Sequence, residues 1–297
     1  MNRRAFNKTS GIIGTASLLP FEKFKLMSSK KYKLGYQLYS VNDDMHKDTL
    51  GTLKALIQMG YEDFEIYEFD PQKITFYGID AKELKSKMDD LGISATSGHY
   101  GFTAFMLTPL DELKEYTDQV IKGAFALNTP YIVWPYLHPA LRNYDGFKLL
   151  VEKLNFVGER VTKAGLQFAY HNNGYEWQGI PGERLYDLVL SQTDPEYVKL
   201  QMDMYWVMHE GQTTPKELVK EHSGRFTMWH IKDMDPITRD YTELGNGAIN
   251  YHNVLPDPEA SGLEYYYIEQ GGNFTKSAIE SAQFSADYFK KNLKSYI

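Results

Sequence analysis

Three apolar or aromatic runs in this sequence each end near a side chain that can hold a cation: Asp203 in "VKLQMDM" (198–204), His230 in "FTMWHIKD" (226–233) and Glu269 in "YYYIEQ" (265–270). An unpaired charge in such surroundings is costly, and two carboxylates and an imidazole remove that cost together by binding one ion. Taken singly, each has a structural explanation: Asp203 as the cap of the following turn, His230 as a hydrogen-bonded core histidine, Glu269 as the partner of a lysine. Their joint placement favours a metal. Ligands of oxygen and nitrogen without sulfur suit Mn²⁺, Co²⁺, Mg²⁺ or Zn²⁺, and the sequence does not choose among them. Lys232 follows His230 by two positions, so a regular strand turns both to one face. It serves there as a proton donor or a holder of a substrate oxygen, or else as an ion-pair partner of Asp203 or Asp233. The densest polar cluster, "YHNNGYEW" (170–177), follows the strand-like run "AGLQFA" and marks a binding corner.

Eight runs rich in β-branched and aromatic residues must position these groups. Besides the three above they are "LGYQLYS" (34–40), "DFEIYEF" (63–69), "ISATSGHY" (93–100), "YIVWPYL" (131–137) and "LQFAYHN" (166–172). Segments with helical apolar spacing separate them, clearest at 48–59, 110–127 and 147–165. Gly60, Gly92, Gly165 and Gly262 stand where helices should stop before the next strand. Strand and helix alternating eight times predict an α/β fold, a single (β/α)8 TIM barrel. A doubly wound open sheet is the competitor, but "YQLYSVNDD" lacks the Gly-rich phosphate loop expected after its first strand. Barrel sites form at the C-terminal strand ends. That adds Gln37, His99 and Trp134 as candidates for substrate contacts, with Asn173 from the polar cluster.

The 297 residues, 42% hydrophobic, suffice for one barrel. A net charge of −7 argues against nucleic acid, and the absence of cysteine excludes disulfides, thiolate catalysis and zinc-thiolate sites. The N-terminus, "MNRRAFNKTSGIIGTASLLP", pairs Arg3 with Arg4 ahead of Phe6, Lys8 and a short apolar stretch, as in a twin-arginine export signal. We therefore expect residues 1–30 to be an export signal and linker, residues 31–297 to be the barrel domain, and the protein to be periplasmic. If the N-terminus is only a basic tail, the location is cytoplasmic. The apolar stretch falls short of the roughly 20 residues that span a bilayer, so stable membrane insertion is not expected.

In this order and spacing, "MDMYW", "WHIKDM", "TELGNGAINYHNVL" and "YYYIEQ" resemble the xylose-isomerase-like TIM-barrel superfamily, and within it the sugar (phosphate) isomerase/epimerase group. The resemblance covers roughly residues 32–292. It implies one divalent metal held by Glu, Asp, His and Glu from strands 5 to 8, of which Asp203, His230 and Glu269 match three. Glu269 would also act as the proton-transfer base. On strand 5 the family pattern places Tyr170 where a ligand glutamate should stand. Either Glu176 swings in from the loop as fourth ligand, or His171 turns inward at an irregular strand end. Glu176 is preferred, since a strand presenting Tyr170 inward turns His171 away and leaves it for substrate contact or acid–base work. A second branch of the superfamily, which repairs abasic DNA with three zinc ions, wants a histidine where Trp206 stands.

The function implied is a metal-dependent isomerase or epimerase of carbohydrate metabolism, acting on an unphosphorylated sugar or keto-sugar. Its catalytic residues would be Glu269, Glu176, His171 and Lys232. The departure at strand 5 leaves metal-assisted 3-keto-glycoside lyase, hydrolase or hydratase chemistry as an alternative. A non-catalytic carbohydrate-binding barrel is a third, with Tyr39, Trp134, Trp177, Trp206 and Trp229 stacking on sugar rings. The expected partner is a small sugar or glycoside. A homo-oligomer is compatible with the sequence, which does not fix the oligomeric state.

Overall fold

The computed structural model describes residues 32–180 and 183–297; the segment read as an export signal lies outside the described residues. All eight expected strands form: β1 (Gly35–Gln37), β2 (Asp63–Ile66), β3 (Ser94–His99), β4 (Tyr131–Trp134), β5 (Gln167–His171), β6 (Lys199–Asp203), β7 (Met228–Ile231) and β8 (Tyr265–Ile268). Each pairs in parallel with its neighbours in the chain, and β1 closes the ring on β8 through Gly35 opposite Tyr267 and Tyr36 opposite Ile268. The result is a closed (β/α)8 barrel, as the alternation of strand and helix predicts.

Alternation along the strands separates two packed regions. Tyr131, Val133, Ala169, Met228 and Tyr267 form the apolar interior of the barrel. Their neighbours Ile132, Trp134, Phe168, Tyr170, Trp229 and Ile268 belong to the larger core outside it. On β5, therefore, Ala169 and His171 face inward and Tyr170 faces outward. This reverses the expected parity, for a physical reason. A strand buried on both faces carries no polar–apolar alternation from which its inward side could be read. Trp134 changes sides with it: the ring is stacked on Phe102 in the outer core, 5.1 Å between centroids, away from any substrate.

The helix α1 (Thr49–Gln58) is capped by Asp48, which accepts from Gly51 N at 2.9 Å, and α2 spans Ala81–Asp90. The helix α3 (Leu110–Leu127) has the limits its apolar spacing predicts. The helix α4 (Tyr144–Lys163) starts three residues before its apolar stripe, because Asn143 caps it by accepting from Gly146 N at 3.0 Å. The stretch "ELGNG" also finds a physical role. Asp233, just beyond β7, accepts from the backbone N–H groups of Gly245, Gly247 and Ile249 at 2.8, 3.2 and 3.1 Å. A Cβ on Gly247 would lie 2.0 Å from Asp233 Oδ1, so only glycine allows this wrap. Among the described residues no helix is long and apolar enough to cross a membrane.

Candidate active site

The C-terminal strand ends deliver the ionisable residues to one place. Asp203 ends β6, His230 lies in β7, and Lys232 and Glu269 stand just beyond β7 and β8. One ligand atom from each of Asp203, His230 and Glu269 lies within 4.8 Å of the others, and all three residues are buried. His230 Nδ1 is 2.5 Å from Glu269 Oε2, and His171 Nε2 is 3.5 Å from Asp203 Oδ2. Asp203 satisfies both of its readings, one oxygen each. Its Oδ1 caps the next turn by accepting from Tyr205 N at 3.0 Å, while Oδ2 faces the cluster. Asp203 Oδ2, His230 Nδ1 and Glu269 Oε2 are buried without a hydrogen bond of normal geometry. Their close neighbours are one another and the Lys232 ammonium, so three buried ligand atoms converge on one point. Two carboxylates with two imidazoles form a donor set that fits a divalent ion.

Lys232 is the cation that these oxygens meet within the chain. Its Nζ lies 2.7 Å from Asp203 Oδ2 and 2.8 Å from Glu269 Oε2, with the ring of Tyr241 5.7 Å away. Burial alone would lower the lysine, but Asp203 and Glu269 outweigh it and hold it charged. Burial would likewise raise Glu269, yet Lys232 and His230 keep its carboxyl below the usual range. For Asp203 burial wins, and its carboxyl is raised. For His230, burial is outweighed by Glu65 and Glu269, and the imidazole is raised to about 9. His171 is pushed well below 6.5 by burial and by the nearby His230 and His99. It therefore offers a neutral lone pair near neutral pH.

Above the cluster opens a cavity of about 500 Å³, lined by His99, His171, Lys232 and Glu269 at its floor and by Tyr39, Tyr67, Tyr136, Trp206 and Tyr241 on its walls. Asn173 joins the lining; its side chain donates to Pro135 O and the Tyr175 hydroxyl. Of the five aromatic candidates only Tyr39 and Trp206 reach this cavity. Trp177 packs on Tyr186 and Trp229 donates to Ser261, both in the outer core. Gln37 is fully buried below the cavity, and its amide is engaged by Glu65 and by Tyr39 N. Glu65 and Gln201, which the sequence reading does not single out, form the layer beneath the histidines. Glu65 sits between Phe64 and Ile66, but Asp63 and Glu68 share its run, so the charge pattern does not single it out.

Glu176 is not brought to the cluster. Its Oε1 accepts from the outward-facing Tyr170 hydroxyl at 2.6 Å and from Asn173 N at 2.9 Å, while Oε2 is buried and unpaired. The inward turn of His171 places an imidazole where Glu176 was preferred as ligand. Burial raises the Glu176 carboxyl from 4.5 to about 7. A raised carboxyl stabilises the fold most below its unfolded value and loses that contribution as pH rises through about 7. This group alone should therefore cost about 3 kcal/mol between pH 4.5 and pH well above 7. Glu176→Gln, which cannot ionise, should flatten the fall of Tm from about pH 5 to about pH 9. An unchanged slope in calorimetry would show that the carboxyl does not titrate there.

The fold has known relatives. The family model described as "Xylose isomerase-like TIM barrel" matches residues 53–282. No curated protein sequence matches the chain. Among solved structures, a sugar phosphate isomerase/epimerase from Parabacteroides distasonis is 27% identical with a TM-score of 0.74, over 90% of this chain and 96% of that one. Two others share the fold. The IOLI protein with a bound zinc atom is 17% identical, with a TM-score of 0.71 over 89% of this chain and 99% of that one. The 3-keto-D-glucoside 4-epimerase from E. coli is 15% identical, with a TM-score of 0.66 over 88% and 100%. By strand order and by the reach of the family match, this chain belongs to the xylose isomerase-like TIM barrel family.

Proposed function

We propose that the protein is a metal-dependent isomerase or epimerase of an unphosphorylated sugar or keto-sugar. The observation that carries this reading is the convergence of Asp203 Oδ2, His230 Nδ1 and Glu269 Oε2, buried next to an aromatic-walled cavity whose lining includes Glu269. With the inward-facing His171 they make four ligands for one ion. What a divalent ion supplies when bound there is polarisation of a sugar carbonyl and its neighbouring hydroxyl, which acidifies the C–H between them. Glu269, at the edge of the cavity and kept ionised by Lys232 and His230, takes that proton. Lys232 holds or protonates a sugar oxygen, and the aromatic walls cover the apolar faces of the ring while excluding water.

The cavity lining supports an unphosphorylated substrate. Among the residues lining it, Lys232 is the sole lysine or arginine, and two carboxylates already neutralise it. A phosphate would find neither an arginine fork nor a helix-terminal loop. One observation favours a second reading, elimination or hydration on a keto-glycoside. With His171 on strand 5, the floor of the cavity holds a single carboxylate base at Glu269, and Lys232 and His171 beside it are nitrogen acids or bases suited to a leaving group.

Solvent exchange tests both. Protein loaded with Mn²⁺ is incubated in D₂O with free sugars, 3-keto-sugars and glycosides, and followed by NMR. Deuterium at a carbon next to a carbonyl, without bond cleavage, is the expected result. Loss of the glycosidic bond would move the protein to the elimination class. Metal bound with no exchange on any substrate would leave a carbohydrate-binding barrel.

A further inference from the structure

We infer that Glu65 is the positioning residue of the metal centre: it fixes the tautomers of both histidines, so that His230 presents Nδ1 and His171 presents Nε2 to the metal. The inference rests on the metal-centre reading above and assigns a role to a residue that no ligand or substrate contact explains.

The assignment follows from groups that can act in one sense only. The backbone N–H of Tyr39 can only donate, and it reaches Gln37 Oε1 at 2.9 Å. The Gln37 amide is thereby oriented, and its Nε2 must donate to Glu65 Oε2, 2.6 Å away. An ionised carboxylate is acceptor-only, so each of its other partners must also bring a hydrogen. Those partners are Ser97 Oγ at 2.6 Å, Gln201 Nε2 at 2.6 Å, His230 Nε2 at 2.5 Å and His99 Nε2 at 3.1 Å. His230 therefore keeps a proton on Nε2, so Nδ1, which meets Glu269 in the metal-free protein, is the nitrogen that must give up its proton to a metal.

The same logic passes through Gln201. Because its Nε2 is given to Glu65, its Oε1 must face the other way, where it accepts from His99 Nε2 at 2.8 Å and His171 Nδ1 at 3.0 Å. His171 thus carries its proton on Nδ1, and its free Nε2 is the nitrogen facing Asp203. One carboxylate sets two imidazoles, one directly and one through an amide. The three imidazoles also approach one another within 4.8 Å, but the nitrogens that face this layer are already engaged by Gln201 and Glu65. They form a support for the metal centre and not a second one. Glu65 is fully buried, and the geometry alone makes it an acceptor: the amide of Gln37, oriented by Tyr39 N, donates to one oxygen, while the Ser97 hydroxyl and the Gln201 amide meet the other.

Glu65→Gln keeps the size of the side chain and ends its acceptor-only character. Carboxylates behind metal-binding histidines are worth about 10- to 100-fold in metal affinity, and that loss of Zn²⁺ affinity is expected here, measured by chelator competition. ¹⁵N NMR of the Zn²⁺-loaded wild type should show metal-bound Nδ1 on His230 and metal-bound Nε2 on His171, with a mixed pattern in Glu65→Gln. Gln201→Met should disturb His171 alone and spare His230, which a general loss of packing would not do; it also serves if Glu65→Gln fails to fold. The opposite nitrogens bound in the wild type, or an unchanged pattern and affinity in Glu65→Gln, would overturn the inference. Wild-type protein that takes up no Zn²⁺ would sink the metal reading instead. In that event a far-downfield His230 Nε2 proton, present without metal in the wild type and absent from Glu65→Gln, still supports the tautomer assignment, and its absence from the wild type overturns it.

Discussion

Lys232→Met is expected to destabilise the metal-free protein by about 3–5 kcal/mol, the usual result of removing one partner from a buried ion pair. The lysine is 4% exposed, and its Nζ stands within 2.8 Å of both Asp203 Oδ2 and Glu269 Oε2. Without it, Asp203 Oδ2 loses its closest cation and Glu269 keeps only His230 as a partner. For a domain of this size the fall in Tm should be roughly 10 °C. A divalent cation that uses the same two oxygens would replace the lost charge. Adding Mn²⁺ or Zn²⁺ should therefore raise the Tm of the variant more than that of the wild type. Calorimetry of chelator-treated protein, repeated with metal, reads both effects. A variant as stable as the wild type without metal would mean that the two oxygens are not held as charged partners of the lysine.

Glu269→Gln should lower the rate of proton exchange on the substrate identified above by about 10²- to 10⁴-fold, the span attributed to a positioned general base. The amide keeps the shape of the side chain but neither accepts the proton nor attracts the metal as strongly. The fold should survive, because Lys232 keeps Asp203 as its partner. Circular dichroism and metal content, measured beside the exchange rate, separate loss of the base from loss of the site. Exchange within a few-fold of the wild type would remove Glu269 from the mechanism and leave it a structural partner of Lys232.

Elements with a one-sided environment were legible in the sequence. The helix α3 buries one stripe and exposes the other, so its spacing marks both ends. Gly60, Gly92, Gly165 and Gly262 all adopt the positive φ that a helix stop before a strand calls for. Asp203 and Glu269 are visible because each stands one residue from the end of its run, and His230 because it directly follows the apolar pair Met228 and Trp229. The barrel strands are harder to read, since both of their faces are buried and their order of side chains carries no alternation. That is why Tyr170 and His171 exchange sides between expectation and structure, and why Trp134 leaves the cavity. What fixes their direction is the pairing of Ala169 with Lys199 and of His171 with Gln201 across β5 and β6, a fact of three-dimensional register. Glu65 lies inside its run with two other acids, Asp63 and Glu68, and short of the strand end, so neither charge pattern nor position marks it.

The ring of strands also dictates when the protein can become active. Until β8 is in place, β1 and β7 each present an unpaired edge, and such edges invite pairing with other chains. The residues that seal this seam, 265–268, are followed at once by Glu269. Closing the last gap in the wall and delivering Glu269 to the cluster are thus one event. A nascent chain lacking its last thirty or so residues would hold Asp203, His230 and Lys232 with no Glu269 opposite them. On the metal-dependent reading proposed above, an incomplete barrel would lack both a ligand and the base, so metal uptake would report that the ring has closed.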